Sequence, residues 1–443
     1  MNKDLLLINT VAFLRSVSIG LTGVVVGIYL FRNGFSSLGI GLVIGAGLAG
    51  AAVATVVVTL QADHLGRRPT LFFLSLLSSI AGISMATTPS LPLLLVLAFV
   101  GMLNGMGTDR SAAFALEQAI IPGLVPDTRR TWTLAWYNVV LDTGGAVGAL
   151  AAGLPLLLER WSGLSLPRAY QAVFLGYAAI NVLTGLLYLL LSRTVELAKV
   201  PNAGLQQTRV SPGTRSVITK LAGLFSLDAL GGGLLTDALL AYWFFRRFGV
   251  SEESLGILFF VVRLLNALSH LGAAWLARRI GLVNTMVFTH LPSSLFLLAV
   301  PFAPSFKVAV ALLLCREALV EMDVPTRQSY VASVVQPNER TFASGVTNLV
   351  RNVFWAFGSS LAGFLMQSVA FSAPLVLGSG LKISYDMILY RAFRKLRPPE
   401  EQGQPHAWER RSAWSFPRSD QAALLLAGLR TFNCDNSYPP QSR

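Results

Sequence analysis

Twelve stretches of mostly apolar residues run along this chain, each near the ~20 residues that a helix needs to cross a bilayer. In the first half they are Leu5–Phe31, Leu38–Leu60, Thr70–Thr87, Leu91–Ile121, Trp132–Leu158 and Arg168–Leu191. The second half offers Val217–Phe245, Ser254–Leu276, Leu282–Phe302, Phe306–Val335, Phe342–Val369 and Phe371–Phe393. The pattern predicts an all-α polytopic membrane protein, with a six-helix bundle over residues 1–192 and another over 216–397. Residues 193–215, with Pro201, Gly204, Gln206 and Pro212, read as a linker. Residues 398–443 read as a disordered cytoplasmic tail whose Ala422–Leu429 run is too short to span. The first stretch contains Arg15 and no small-residue cleavage site, so it reads as a membrane helix rather than a cleaved signal.

Composition supports the pattern. Of 443 residues, 53% are hydrophobic and only 13% charged, about half the charged share of soluble domains. A soluble core cannot hide that much apolar surface, so a soluble enzyme and a disordered chain are excluded. The net charge of +13 is spread between the apolar runs and not gathered on one face, which argues for membrane topology and against nucleic acid. Arg67, Arg68, Arg129, Arg130, Arg278 and Arg279 share one side with most of the tail's basic residues, so both termini are expected in the cytoplasm. Cys315 and Cys434 lie far apart, and four histidines are dispersed; no metal site and no cofactor is expected.

The halves repeat each other. Arg130-Thr131, Asn138, Asp142 and Gly153 recur about 210 residues later as Arg340-Thr341, Asn348, Asn352 and Gly363. Two six-helix repeats around a midplane site suit a secondary transporter. Between helices 2 and 3 stands Asp63-x-x-Gly66-Arg67-Arg68, with Thr59 where a glycine would open the pattern. This resembles the loop signature of the major facilitator superfamily, and the resemblance covers about residues 5–397. Asp323 to Arg340 is similar to the helix 10–11 region of uncharacterised prokaryotic members. The resemblance implies a cavity lined by helices 1, 4, 7 and 10. It also implies a gating loop in which Asp63 sits near a helix N-terminus and Arg67 and Arg68 bridge the halves. Gly144, Gly145, Gly148 and Gly153 form part of an antiporter-type helix 5 pattern, but Ala149 stands in place of its proline; close helix packing through small residues is the preferred account of them.

Charges at membrane depth are functional candidates by default. Arg15, Ser18 and Thr22 share a face of helix 1, and Arg263, Asn266 and His270 a face of helix 8. Ser16, Gly20, Gly23 and Gly27 form a small-residue packing stripe. Arg15, Ser18, Arg263, Asn266, Asn138 and Asn348 are therefore candidate cavity residues, and the two arginines favour a substrate with an anionic group. In helix 10, Arg316, Asp323 and Arg327 share one face, with Asp323 four residues before Arg327, the favourable order for an ion pair. Asp109 and Arg110 in helix 4 extend this charge network, and Arg110 and Glu117 share a face but sit ~10 Å apart along a continuous helix. Glu317 and Glu321, one turn apart, would repel if both were ionised, so they are expected to hold a coupling proton, with Asp228 of helix 7 as a further candidate.

The expected function is movement of a small solute across the membrane by alternating access, coupled to protons, by a monomer. Proton-driven efflux and a non-transporting sensor on the same fold are the alternative readings. A Walker motif is absent, so ATP is not expected to drive it. No GxSxG or HExxH motif supports an enzyme.

Overall fold

A computed structural model describes residues 3–87, 90–126, 129–196, 212–324, 326–327 and 340–393, except the side chains of residues 63, 64, 130–132, 212–214, 270, 271, 274, 278 and 340–344. Most of the expected linker and all of the expected tail lie outside the described residues. The first half contains α1 (Lys3–Arg32), α2 (Ser37–Leu65), α3 (Arg67–Thr87), α4 (Leu91–Val100), α5 (Ala112–Ile120), α6 (Arg130–Leu150), α7 (Leu154–Ser162) and α8 (Leu166–Leu189). The second contains α9 (Pro212–Gly233), α10 (Asp237–Phe248), α11 (Glu252–Ile280), α12 (Leu282–Ala299), α13 (Phe306–Val320), α14 (Arg340–Ser368) and α15 (Ala373–Phe393).

Three pairs of these helices continue one another: α4 with α5, α6 with α7 and α9 with α10. The described helices thus make twelve passages. Among the described residues, eight spans are long and apolar enough to cross a membrane. The other four passages are the interrupted fourth, the tenth, of which α13 is the described helix, and the eighth and twelfth, which hold Arg263 and the pair Lys382 and Asp386.

Local sequence sets the ends. Ser36, Ser111, Ser251 and Ser305 each accept a hydrogen bond from a backbone N–H in the first turn of the helix that follows, satisfying a donor the helix leaves open. Gly163 and Gly249 close α7 and α10 in the left-handed conformation. Small residues set the spacing between helices. Gly20 of α1 meets the Gly145 backbone of α6, and Gly41 of α2 meets Gly363 of α14, so any side chain there would collide with main chain. The packing role expected for the α1 and α6 glycines is therefore what the backbone contacts display.

The largest apolar cluster crosses between the halves, joining Val24 and Ile28 of α1, Ile40 and Ile44 of α2, Tyr242 of α10 and Phe259 of α11. Hydrogen bonds and ion pairs join the halves at the end opposite the Gly66–Arg68 loop. Arg32 pairs with Glu252 at 2.8 Å, Tyr170 donates to Glu252 at 2.5 Å, Arg160 pairs with Glu253 at 3.0 Å, Ser37 bonds Tyr242 at 2.9 Å, and Gln367 accepts from Leu38 N–H at 3.1 Å.

Candidate functional site

The fourth passage was expected as one helix and is not. Residues 101–111 are unwound between α4 and α5. Gly-Met-Leu-Asn-Gly-Met-Gly, residues 101–107, has three glycines in seven, and Met102 takes the left-handed conformation at φ 53°, a strained choice for a side chain of its size. Unwound backbone at membrane depth survives only when buried in protein or lining a cavity. Here it is buried against the other half. The chain is also interrupted at residues 234–236, between α9 and α10, and Ala238 N–H donates to the Gly105 carbonyl at 3.1 Å. Thr22 of α1 donates to the Asn104 carbonyl at 2.7 Å. Gly107, at φ +72°, lies against Asp237 and Arg263. Broken helices that meet at mid-depth are where transporter folds place their sites.

Beside this seam lies a cavity of about 730 Å³, the open space at its mouth included. Its lining includes Arg110, Asn104, Thr108, Asn181, Asn352 and Trp355, drawn from passages 4, 6 and 11. The unwinding moves Arg110 off the face it was expected to share with Glu117, which sits in α5. Arg110 therefore leaves the charge network predicted for it: its guanidinium lies 5.6 Å over the Phe114 ring and pairs with no carboxylate among the described residues.

The two arginines expected to meet substrate are already neutralised. Arg15 donates from Nε to Asp109 at 2.6 Å and from both terminal nitrogens to Glu117 at 3.1 and 2.6 Å. Tyr137 and Tyr188 donate to the same Glu117 carboxylate at 2.5 and 2.6 Å, and Glu117 is fully buried. A bidentate guanidinium–carboxylate pair with every oxygen satisfied is a structural clamp. Arg263 is held by Asp237 and reaches the Met106 carbonyl at 3.4 Å. Ser18 is turned back onto the Leu14 carbonyl at 3.3 Å, and Asn266 donates to the Glu317 carboxylate and carbonyl, each at 3.0 Å. Asn138 and Asn348 sit exposed at equivalent places in the fifth and eleventh passages.

In the tenth passage α13 ends at Val320 and Glu321 forms its cap, while Glu317 is bonded to Arg316 as well as to Asn266. Arg316 thus neutralises Glu317. Beyond the cap, Asp323 and Arg327 pair at 2.9 Å. Arg327 also reaches Asp228 at 3.2 Å, and Lys382 of α15 reaches Asp228 at 2.8 Å. Arg351 of α14 lies 3.7 Å and His290 of α12 3.8 Å from the same carboxylate. His290 in turn bonds Asp386 of α15 at 2.9 Å. His290, Lys382 and Asp386 escaped the sequence reading; the signal was there in Lys382 and Asp386, two opposite charges one turn apart inside an apolar span.

At the loop signature, Gly66 ends α2 at φ +93°, a conformation glycine adopts freely. The side chain of Asp63 lies outside the described residues. Arg67 and Arg68 were expected to bridge the halves, but these contacts stay within the first: their backbone N–H groups donate to Glu196 at 2.6 and 3.0 Å, and their guanidinium groups to the Val195 and Leu189 carbonyls. Glu196 thus caps α3, an anion at the positive end of a helix. Among the described residues no group of three or more His, Cys, Asp or Glu could hold a metal.

Comparison with known proteins agrees with this architecture. The family model of the Major Facilitator Superfamily matches residues 8–320 and 221–438. The chain is similar to the uncharacterized membrane protein YJR124C of Saccharomyces cerevisiae, 26% identical over 418 residues that cover 88% of this chain and 93% of the relative. Among solved structures it is similar in fold to a variant of the nucleoside transporter NupG, with a TM-score of 0.70 at 14% identity, covering 88% of this chain and 99% of that one. A bacterial homolog of the human lysosomal transporter Spinster, inward-facing and occupied, gives 0.69 at 15% identity, covering 89% and 97%.

Proposed function

From the premise that this chain belongs to the major facilitator superfamily, a transporter and not an enzyme, we propose that it moves a small solute bearing an anionic group by proton-coupled alternating access. Arg110 carries the reading. A guanidinium that meets no carboxylate among the described residues is expensive at membrane depth and is found where a ligand or pathway needs it. Around it the cavity offers the amides of Asn104, Asn181 and Asn352 and the hydroxyl of Thr108, the few placed polar groups that orient a ligand in an otherwise apolar pocket. The cavity draws on both halves of one chain, which suits a monomer. With basic residues marking the cytoplasmic side, both termini and the Gly66–Arg68 loop lie inside, and the bonded end that holds Arg32 and Glu252 faces out. This conformation is then the one closed to the exterior.

The test is flux in proteoliposomes with labelled organic anions and neutral analogues, with and without an imposed pH gradient. Accumulation of an anion that needs the gradient, abolished in Arg110→Gln and partly kept in Arg110→Lys, is the expected result. Gradient-independent movement of neutral solutes alone, unaffected by Arg110→Gln, would overturn it.

A further inference from the structure

The second half contains a buried charge centre that the solute cavity does not use, and its geometry leaves room for one proton. Nδ1 of His290 lies 2.9 and 3.0 Å from the two oxygens of Asp386, so the hydrogen on this nitrogen points at that carboxylate. The remaining ring nitrogen, Nε2, faces Asp228 Oδ1 at 3.8 Å. In the neutral ring these are two acceptors confronting one another. Adding a proton to Nε2 converts the confrontation into a donor–acceptor pair.

That oxygen already has a partner. Lys382 donates to Asp228 Oδ1 at 2.8 Å, while Arg327 and Arg351 approach Oδ2 at 3.2 and 3.7 Å. His290 is faced by Asp386 and the Tyr385 ring from α15 and by Asp228 from α9, and the charges gathered around that Asp228 are Lys382 of α15, Arg327 with its partner Asp323 beyond α13, and Arg351 of α14. Three carboxylates meet three permanent cations, so the imidazole is the group whose charge sets the balance. His290 is 2% exposed and Asp386 fully buried, which keeps water from screening that change.

We propose that the coupling proton binds at His290 Nε2, between Asp386 and Asp228, and that it competes there with Lys382 for Asp228. The step is a plain addition: a proton enters from water, the imidazole becomes imidazolium, and nothing else is consumed. The inference rests on the proton-coupled reading above and supplies its site. Asp228 is the lever. It sits on α9 just before Gly231–Gly233, where Gly232 packs on the Trp355 indole and Gly233 on the Trp355 backbone. Trp355 lines the solute cavity, and the Arg351 guanidinium stacks 4.9 Å over its ring. Redistribution of the cations around Asp228 therefore reaches both the cavity wall and the interruption between α9 and α10.

The experiment needs no identified solute. Spin labels are placed at the loop-signature ends of α2 and α11, at Leu60 and Trp275, both exposed. Their distance distribution is measured in nanodiscs of the full chain from pH 5 to pH 8. The wild type is expected to redistribute between two populations with one midpoint. In His290→Gln the redistribution is expected to be lost. In Asp386→Asn, which keeps the ring, the midpoint should fall by about one pH unit or more, the size of effect a neighbouring charge exerts. A wild type that does not respond to pH overturns the coupled reading together with this site. A response that persists unchanged in His290→Gln, or an unmoved midpoint in Asp386→Asn should the former not fold, overturns the site alone.

Discussion

Gly107 and Asp237, from opposite halves of the chain, sit so close that a single methyl group on the glycine would overlap the aspartate carboxylate. The glycine is in the left-handed conformation at φ +72°, and Arg263 fills the remaining side. Gly107→Ala therefore combines backbone strain with overpacking, together about 2–4 kcal/mol. The variant is expected to melt at lower temperature in detergent and to transport poorly. Normal melting and flux would show that the seam opens more easily than this contact allows.

The clamp around Arg15 predicts a non-additive mutant cycle. Arg15→Gln strands Asp109 and Glu117 in a buried site and should cost about 3–5 kcal/mol. Glu117→Gln leaves Arg15 paired with Asp109 and should cost less. Arg15→Gln combined with Glu117→Gln should recover part of the loss, because one stranded charge is removed. Thermal unfolding of the three variants measures this, and strict additivity would mean that Arg15 and Glu117 act independently.

Removing the bond at the end opposite the Gly66–Arg68 loop, exterior on the proposed orientation, should bias the conformational equilibrium. Arg32 is a third exposed at its side chain while Glu252 is buried, so Arg32→Gln is expected to release about 1 kcal/mol, near fivefold in populations. A cysteine at Ile44, fully buried in the seam, should then be alkylated faster by an external impermeant reagent. Tyr170→Phe, which removes the second donor to Glu252, should push in the same direction.

The cap on α3 gives a milder effect. Glu196→Ala frees the Arg67 and Arg68 N–H groups and removes an anion from a helix start, worth about 1 kcal/mol. The expected result is slower transport with the cavity's apparent affinity changed less than threefold. Unaltered rates would leave Glu196 as a local fastening with no part in the conformational cycle.

Hydropathy made the twelve passages and their division into halves legible, because a bilayer demands long apolar runs whatever the partners. It could not reveal the break after Val100, since Gly-Met-Leu-Asn-Gly-Met-Gly is nearly as apolar as a helix; the clustering of three glycines was the only hint. Spacing brought Asp323 and Arg327 together correctly, as both lie within one turn. It had no access to the partners of Arg15, which come from positions 94 and 102 residues away. Periodicity identifies the face of a helix but not which opposite charge packs on it, and so it could not tell that Arg15, which does border the cavity, is paired while Arg110 beside it meets no carboxylate among the described residues. His290 was missed for the same reason: its meaning depends on Asp386, 96 residues along the chain.

The bond from Ala238 N–H to the Gly105 carbonyl has a further consequence for how such a chain can diverge. It is made by main chain on both sides, so no substitution other than proline at position 238 removes its donor or acceptor. The neighbouring residues at positions 104 and 108 can then drift to suit a new cargo while the joint that must open and shut in every cycle keeps its register. On the proposed reading, what the cavity carries and how the joint moves would then be open to change independently.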